Sequence, residues 1–126
     1  MNLFLTLHLQ QDPLAFVPYS WEIEGVSSFD IDNFSDDLVV GTAIKALQQA
    51  GKIVVLIEAR DHGSLGAVLK VFNALVRIEV PVLFIHNGSH PVLQNMLSRF
   101  DSHQVLLDQP AEEIKRNALA FFNLPG

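Results

Sequence analysis

The sequence predicts a single α/β domain over residues 1–126, in the order β-β-α-β-α-β-α-β-α, with a mixed sheet built from a parallel core and an N-terminal antiparallel pair. Three observations predict it. Two runs of strict alternation open the chain, two unbroken apolar runs lie in its middle (Ile53–Ile57 and Val82–Ile85), and the segments between and after them repeat apolar residues at helical spacing. Alternation suits a strand with one buried face. An unbroken apolar run suits a strand covered on both faces.

Taken in order, Leu3, Leu5, Leu7 and Leu9 alternate with Phe4, Thr6, His8 and Gln10, predicting a first strand with one helix-covered and one more exposed face. After Gln11–Asp12–Pro13, Val17, Tyr19, Trp21 and Ile23 alternate with Pro18, Ser20, Glu22 and Glu24. The short connection implies an antiparallel partner, and Pro18, which has no N–H for a ladder, places that strand at an edge or a bulge. The acidic stretch Phe29–Asp37 reads as the lead into a helix capped by Ser35, with Asp36 and Asp37 at the positive end of its dipole. Leu38, Val39, Ala43, Ile44, Leu47 and Ala50 form its expected stripe, and Gly51 ends it.

Beyond Ile53–Ile57, a second helix carries Leu65, Val68, Leu69, Phe72, Leu75 and Val76 until Pro81. Val82–Ile85 opens into His86–Asn87–Gly88–Ser89–His90, and a third helix carries Val92, Leu93, Met96, Leu97 and Phe100. Val105–Leu107 is a short last strand, and Pro110 introduces a final helix with Ile114, Ala118, Leu119 and Phe122. Strands joined through helices run parallel with right-handed crossovers, so their carboxyl ends share one edge, the usual position for a ligand. That edge holds Glu58–Gly66 and His86–His90.

Composition narrows the function. Hydrophobic residues make up 49%, and nine Phe against one Trp and one Tyr indicate aromatics used for packing. A formal charge of −6, with no Lys/Arg cluster, argues against nucleic-acid binding and favours basic or neutral protein partners. Without cysteine there is no disulfide, thiolate nucleophile or Cys-based zinc site. Met1–Leu9 alternates and lacks a basic start, so no signal peptide is expected, and no run approaches the roughly 20 apolar residues of a membrane span. A cytoplasmic location is the expectation.

One stretch carries a motif. Between the third strand and the second helix the chain reads Asp61-His62-Gly63-Ser64-Leu65-Gly66, then Ala67-Val68-Leu69. Gly-Ser-Leu-Gly at a helix start lets backbone N–H groups approach an anion, while the plainer reading makes Ser64 the helix cap. His62 breaks the Gly-x-Ser-x-Gly pattern of a nucleophile elbow. The element order and this stretch resemble the STAS domain of anti-sigma factor antagonists and of sulfate-transporter cytoplasmic tails. Those domains carry Asp-Ser-Ser-Gly-Leu-Gly at this point, and phosphorylation of the first Ser switches partner binding. Asp61, Leu65, Gly66 and Leu69 match; His62 occupies the acceptor position and Ser64 falls on the motif glycine. A looser STAS-like group, which also resembles lipid-binding SEC14 domains, lacks the phospho-Ser motif and fits equally.

The resemblance implies a non-enzymatic regulatory or scaffold domain that binds a protein partner through the Asp61–Gly66 edge and the face of the second helix. Ser64 is then the phosphorylation candidate, and a homodimer is left open. The candidate partner or ligand residues are Asp61, His62, Gly63, Ser64, Gly66, His86, Asn87 and His90. The alternative is a small-ligand or lipid-binding domain, or a small enzyme, using Glu58, His62, Ser64, His86 and His90 on the loops after residues 53–57 and 82–85. His62, His86 and His90 beside Asp61 or Glu58 match no established zinc spacing, so neither a metal nor another cofactor is expected, and no catalytic set is assigned. A calcium loop starting at Asp30 needs a glycine at position 35 and a glutamate at position 41, where the chain has Ser35 and Gly41. Asp30, Asp32, Asp36 and Asp37 therefore read as a solvated loop and a capped helix. Asn87–Gly88–Ser89 fits a glycosylation sequon but reads as a turn before a helix cap, and Phe121, Phe122 and Leu124 read as docking the last helix on the core.

Overall fold

Strand parity organises the fold. The computed structural model describes residues 1–9, 23–32, 35–59, 65–88, 90–100 and 104–124. Along the chain lie β1 (Asn2–Leu9), β2 (Val26–Asp32), α1 (Asp37–Gln49), β3 (Lys52–Ala59), α2 (Ala67–Leu75), β4 (Val82–Gly88), α3 (Pro91–Leu97), a 3-10 turn (Ser98–Phe100), β5 (Gln104–Leu107) and α4 (Ala111–Phe121). The strands form one sheet in the order β2-β1-β3-β4-β5, and every neighbouring pair is parallel. This is the strand order of flavodoxin-type doubly wound sheets.

Among the described residues the expected antiparallel N-terminal pair is not seen, and β1 has parallel partners on both sides. The partner of β1 is Val26–Asp32, aligned in parallel from Asn2↔Val26 to His8↔Asp32. Of the expected second strand, Ile23 and Glu24 lie in the turn before β2, where Val26 N–H donates to the Ile23 carbonyl at 3.1 Å, and residues 17–22 lie outside the described residues. A parallel pair needs a crossover of a dozen or more residues, and the chain between Leu9 and Val26 is long enough for one. The stretch read as a solvated loop is instead strand through Asp32. Its apolar Phe29 and Ile31 alternate with Ser28, Asp30 and Asp32, and the acidic residues masked that period.

Odd-numbered residues of β1 and β3 point to one face. Leu3, Leu5, Leu7, Leu9, Ile53, Val55 and Ile57 pack there against Val40, Ala43 and Leu47 of α1, Val68, Val71, Phe72 and Leu75 of α2, and Leu93 and Leu97 of α3. Even-numbered Phe4, Val54 and Leu56, with Leu83 and Ile85 of β4, pack on the other face against Ile114 and Ala118 of α4 and Phe122 just beyond it. Both faces of β1 are buried, contrary to the expected exposed side, because its leucines pack with α1 and α2 and Phe4 packs with the α4 cluster on the other face. The four leucines do share one face, as their spacing predicts.

Helix details also depart from expectation. Asp36, not Ser35, caps α1: its carboxylate accepts from Val39 N–H at 2.9 Å, while the Ser35 hydroxyl donates to Asp32 at 3.2 Å. Leu38 and Val39 are exposed and Val40 is buried in their place, while Ala43, Leu47 and Ala50 are buried as expected. On α2, Leu69 and Val76 face solvent while Val71 joins the core. Pro91 occupies the first turn of α3, where its missing N–H costs nothing, and His90 is the cap.

Candidate functional site

The register brings four polar side chains into one lateral row. Asp32 of β2 stands opposite His8 of β1, His8 opposite Glu58 of β3, and Glu58 opposite Asn87 of β4. All four lie on the α4 face by alternation with Phe4, Leu56 and Ile85, and all lie at the carboxyl end of their strands. One row deeper, Asp30 pairs in register with Thr6. His8 and Glu58 are buried, at 4% and 7% exposure, as is Thr6 at 2%. Phe4, Val54, Leu56, Leu83 and Ile85 make the interior of this face apolar. Burying a polar or charged side chain without full compensation costs several kcal/mol, so a row of them at the sheet edge is not what core packing alone selects.

Electrostatics at the row follow from that placement. Asp30 reaches solvent at the rim, yet neighbouring protein strips enough water to raise its pKa above the usual 3.8; His8 and a hydrogen bond from Thr6 act in the opposite direction. Asp32 is held by Ser35 on two sides, its carboxylate accepting from the hydroxyl and its own N–H donating to the same oxygen at 3.0 Å. Asn87 is a clamp. Its amide nitrogen donates to the Gln109 carbonyl at 3.0 Å and to Glu58 at 3.4 Å, and its oxygen accepts from Gln109 N–H at 2.8 Å. That pair of bonds ties the β5–α4 connection to the end of β4.

Beside it, Gly88 has φ +93° and its backbone abuts Ala59, whose carbonyl oxygen would lie 2.1 Å from any added Cβ. Only glycine lets the two strand ends close together here.

The residues singled out from sequence divide three ways. Asp61, His62, Gly63 and Ser64 lie outside the described residues, so the motif is seen only from Leu65 onward. Gly66 adopts φ 48°, ψ −128° and precedes the first turn of α2 as its backbone cap, with no side chain to contribute. His86, Asn87 and His90 are all at the β4 edge, but not together. Asn87 faces α4 with Glu58. His86 faces the other way, in register with Ile57, and is wholly shielded from solvent. His90 is buried and spends Nδ1 on the cap of α3, accepting from Leu93 N–H at 3.4 Å. Glu58 and His86 thus do not converge. Among the described residues, no group of three or more His, Asp or Glu side chains is arranged to hold a metal ion.

Sequence reasoning missed His8, Asp30 and Asp32. The signal lay in parity alone: His8, Asp30 and Asp32 occupy even positions toward the carboxyl ends of their strands. It became readable only once residues 26–32 were known to be a strand.

The fold and this edge define a doubly wound, all-parallel α/β protein with an acidic and histidine-bearing row at its carboxyl edge. No protein-family model matches the chain, and neither a curated protein nor a solved structure matches it. Among the described residues no helix is long and apolar enough to cross a membrane.

Proposed function

We propose that this chain is a non-enzymatic regulatory or scaffold domain that recognises a basic segment of a protein partner at the carboxyl edge of its sheet. The row Asp32–His8–Glu58, flanked by Asp30, carries the reading. It sets three carboxylates around one imidazole beside β1 and β3, the two strands between which the order of a doubly wound sheet switches and where such folds bind ligands. The overall charge of −6 adds a long-range attraction for a lysine- or arginine-bearing surface. The STAS-like regulatory role suggested by Asp61–Gly66 points to the same end of β3.

The test is a nuclear magnetic resonance titration of the labelled full chain with a short Arg/Lys peptide and, separately, an acidic peptide of equal length. The basic peptide should shift the amides of Leu9, Asp32 and Ala59 saturably, weaken with added salt, and bind several-fold less tightly to Glu58→Gln. Gln keeps an oxygen for Asn87, so the fold is retained. Equal response to both peptides, or shifts confined to the helices, rejects the reading. A response to arginine alone equal to that of the peptide would instead assign a small cationic ligand.

A further inference from the structure

On the opposite face of the sheet, α3 and the edge strand β5 leave a groove of about 330 Å³ lined by His86, Gln94, Leu97, Ser98, Val105 and Leu107. Its size falls at the lower end of the roughly 300–1,000 Å³ of small-molecule sites. The lining is apolar apart from Gln94 and Ser98 at the helix side and His86 at the inner wall. His86 is 0% exposed, and neither ring nitrogen has a hydrogen-bond partner among the described residues. Its neighbours explain why. Ile57 lies beside it in register on one side and Leu107 on the other, and neither side chain offers a polar atom.

An imidazole in this setting is an anomaly for packing alone. Leaving a buried donor and acceptor unsatisfied costs stability that Leu or Phe at position 86 would not. Burial also lowers the His86 pKa below the ordinary 6.5, His90 adding to the effect while Asp108 and Glu58 oppose it. The ring is therefore neutral at pH 7, with one N–H to donate and one nitrogen to accept.

We propose that the groove is a binding site for a small uncharged molecule with an apolar ring and a single hydroxyl, a phenol or cyclic alcohol, whose hydroxyl pairs with His86. The hydroxyl both donates and accepts, so it suits either ring nitrogen. An anion is disfavoured by the fields of Asp108 and Glu58, which reach His86 although neither carboxylate lines the groove. A cation would have to shed water against Leu97, Val105 and Leu107 without a carboxylate in the groove to receive it. Leu107, at the open edge and 57% exposed, is the apolar wall residue most open to solvent and the one that would move aside to admit the ring. This site lies on the α3 side, whereas the acidic row lies on the α4 side, so the two stand or fall separately.

The experiment titrates the isotopically labelled full chain with p-cresol and with cyclohexanol, using toluene as the hydroxyl-free control. Both hydroxyl compounds should give saturable shifts at the amides of Gln94, Leu97, Ser98, Val105 and Leu107 and at the His86 ring nitrogens. Toluene should bind about tenfold more weakly, the worth of one hydrogen bond. In His86→Phe that preference for p-cresol should vanish. Ser98→Phe, which leaves His86 in place and fills the groove from its mouth, should abolish the response. The absence of saturable shifts for both hydroxyl compounds up to their solubility overturns the proposal, as does a preference for p-cresol that persists in His86→Phe. Binding that survives Ser98→Phe overturns it equally.

Discussion

His86 shows how much one position in a strand can carry. Its backbone belongs to the ladder of β4, and its carbonyl accepts from Asp108 N–H at 3.0 Å, so the strand fixes where the ring sits before any side-chain interaction is considered. Because burial lowers its pKa below 6.5, the unfolded chain takes up a proton before the folded one does as pH falls. Stability from this residue is therefore complete above about pH 6.5 and is lost as pH falls from there toward the lowered folded value. Urea midpoints measured between pH 7.5 and 5.0 should decline in the wild type and decline less steeply in His86→Phe, which at pH 7.5 should also be more stable by about 1 kcal/mol. Parallel curves would show that His86 is not held neutral by the fold. Asp30 has the opposite sign: its raised pKa makes the folded state the better proton acceptor, so its contribution weakens as pH rises from 3.8 through the folded value.

At the scale of elements, α2 supplies one of the two phenylalanines wholly buried on the leucine face. Phe72 is 0% exposed and meets Phe100 edge-on at 6.4 Å between ring centroids, while Phe100 in turn lies 4.7 Å from Phe84 of β4. The three rings join α2, the turn after α3 and the middle of the sheet. Phe72→Ala should lower stability by about 3–5 kcal/mol through lost burial and the cavity left among rings that cannot collapse together. A denaturation midpoint equal to that of the wild type would place Phe72 outside the core. By contrast, the ion pair Lys70–Asp37, which joins α2 to α1 at 2.6 Å, is solvent-exposed, and such surface pairs contribute little.

Across the whole molecule, the sheet order puts β1, β3 and β4 inside and leaves β2 and β5 as edges. Each edge is blunted in its own way. β5 has only four residues, and β2 presents Ser27, Ser28 and Asp30 to solvent. Since β1, β3 and β4 are paired on both sides and covered on both faces, their amides should exchange only on global unfolding. Native-state hydrogen exchange should therefore find Leu5, Val55 and Phe84 the slowest, with β5 opening at a smaller free energy. Protection in β5 equal to that in β3 would mean that its free edge is covered in solution, as in association between copies.

Much of this architecture is legible in the sequence, because local pattern reports local environment. The unbroken runs Ile53–Ile57 and Val82–Ile85 mark central strands, and the helical stripes mark the four α-helices among the described residues, since each element's apolar period is set by its own geometry. Leu3, Leu5, Leu7 and Leu9 likewise had to share a face. What periodicity does not contain is the partner of a strand. The clear alternation at residues 17–24 drew the expected pairing, whereas the acidic residues hid the period of 26–32, the run that the sheet sets in parallel beside β1. The candidate site inherits that limit. Glu58, His86, Asn87 and His90 could be assigned to one edge from sequence, but the face each occupies depends on register. That register sends Glu58 and Asn87 toward α4, sends His86 into the groove beside α3, and brings in His8, Asp30 and Asp32 from strands distant in the chain, because a side chain's face is fixed only when its strand's neighbours are.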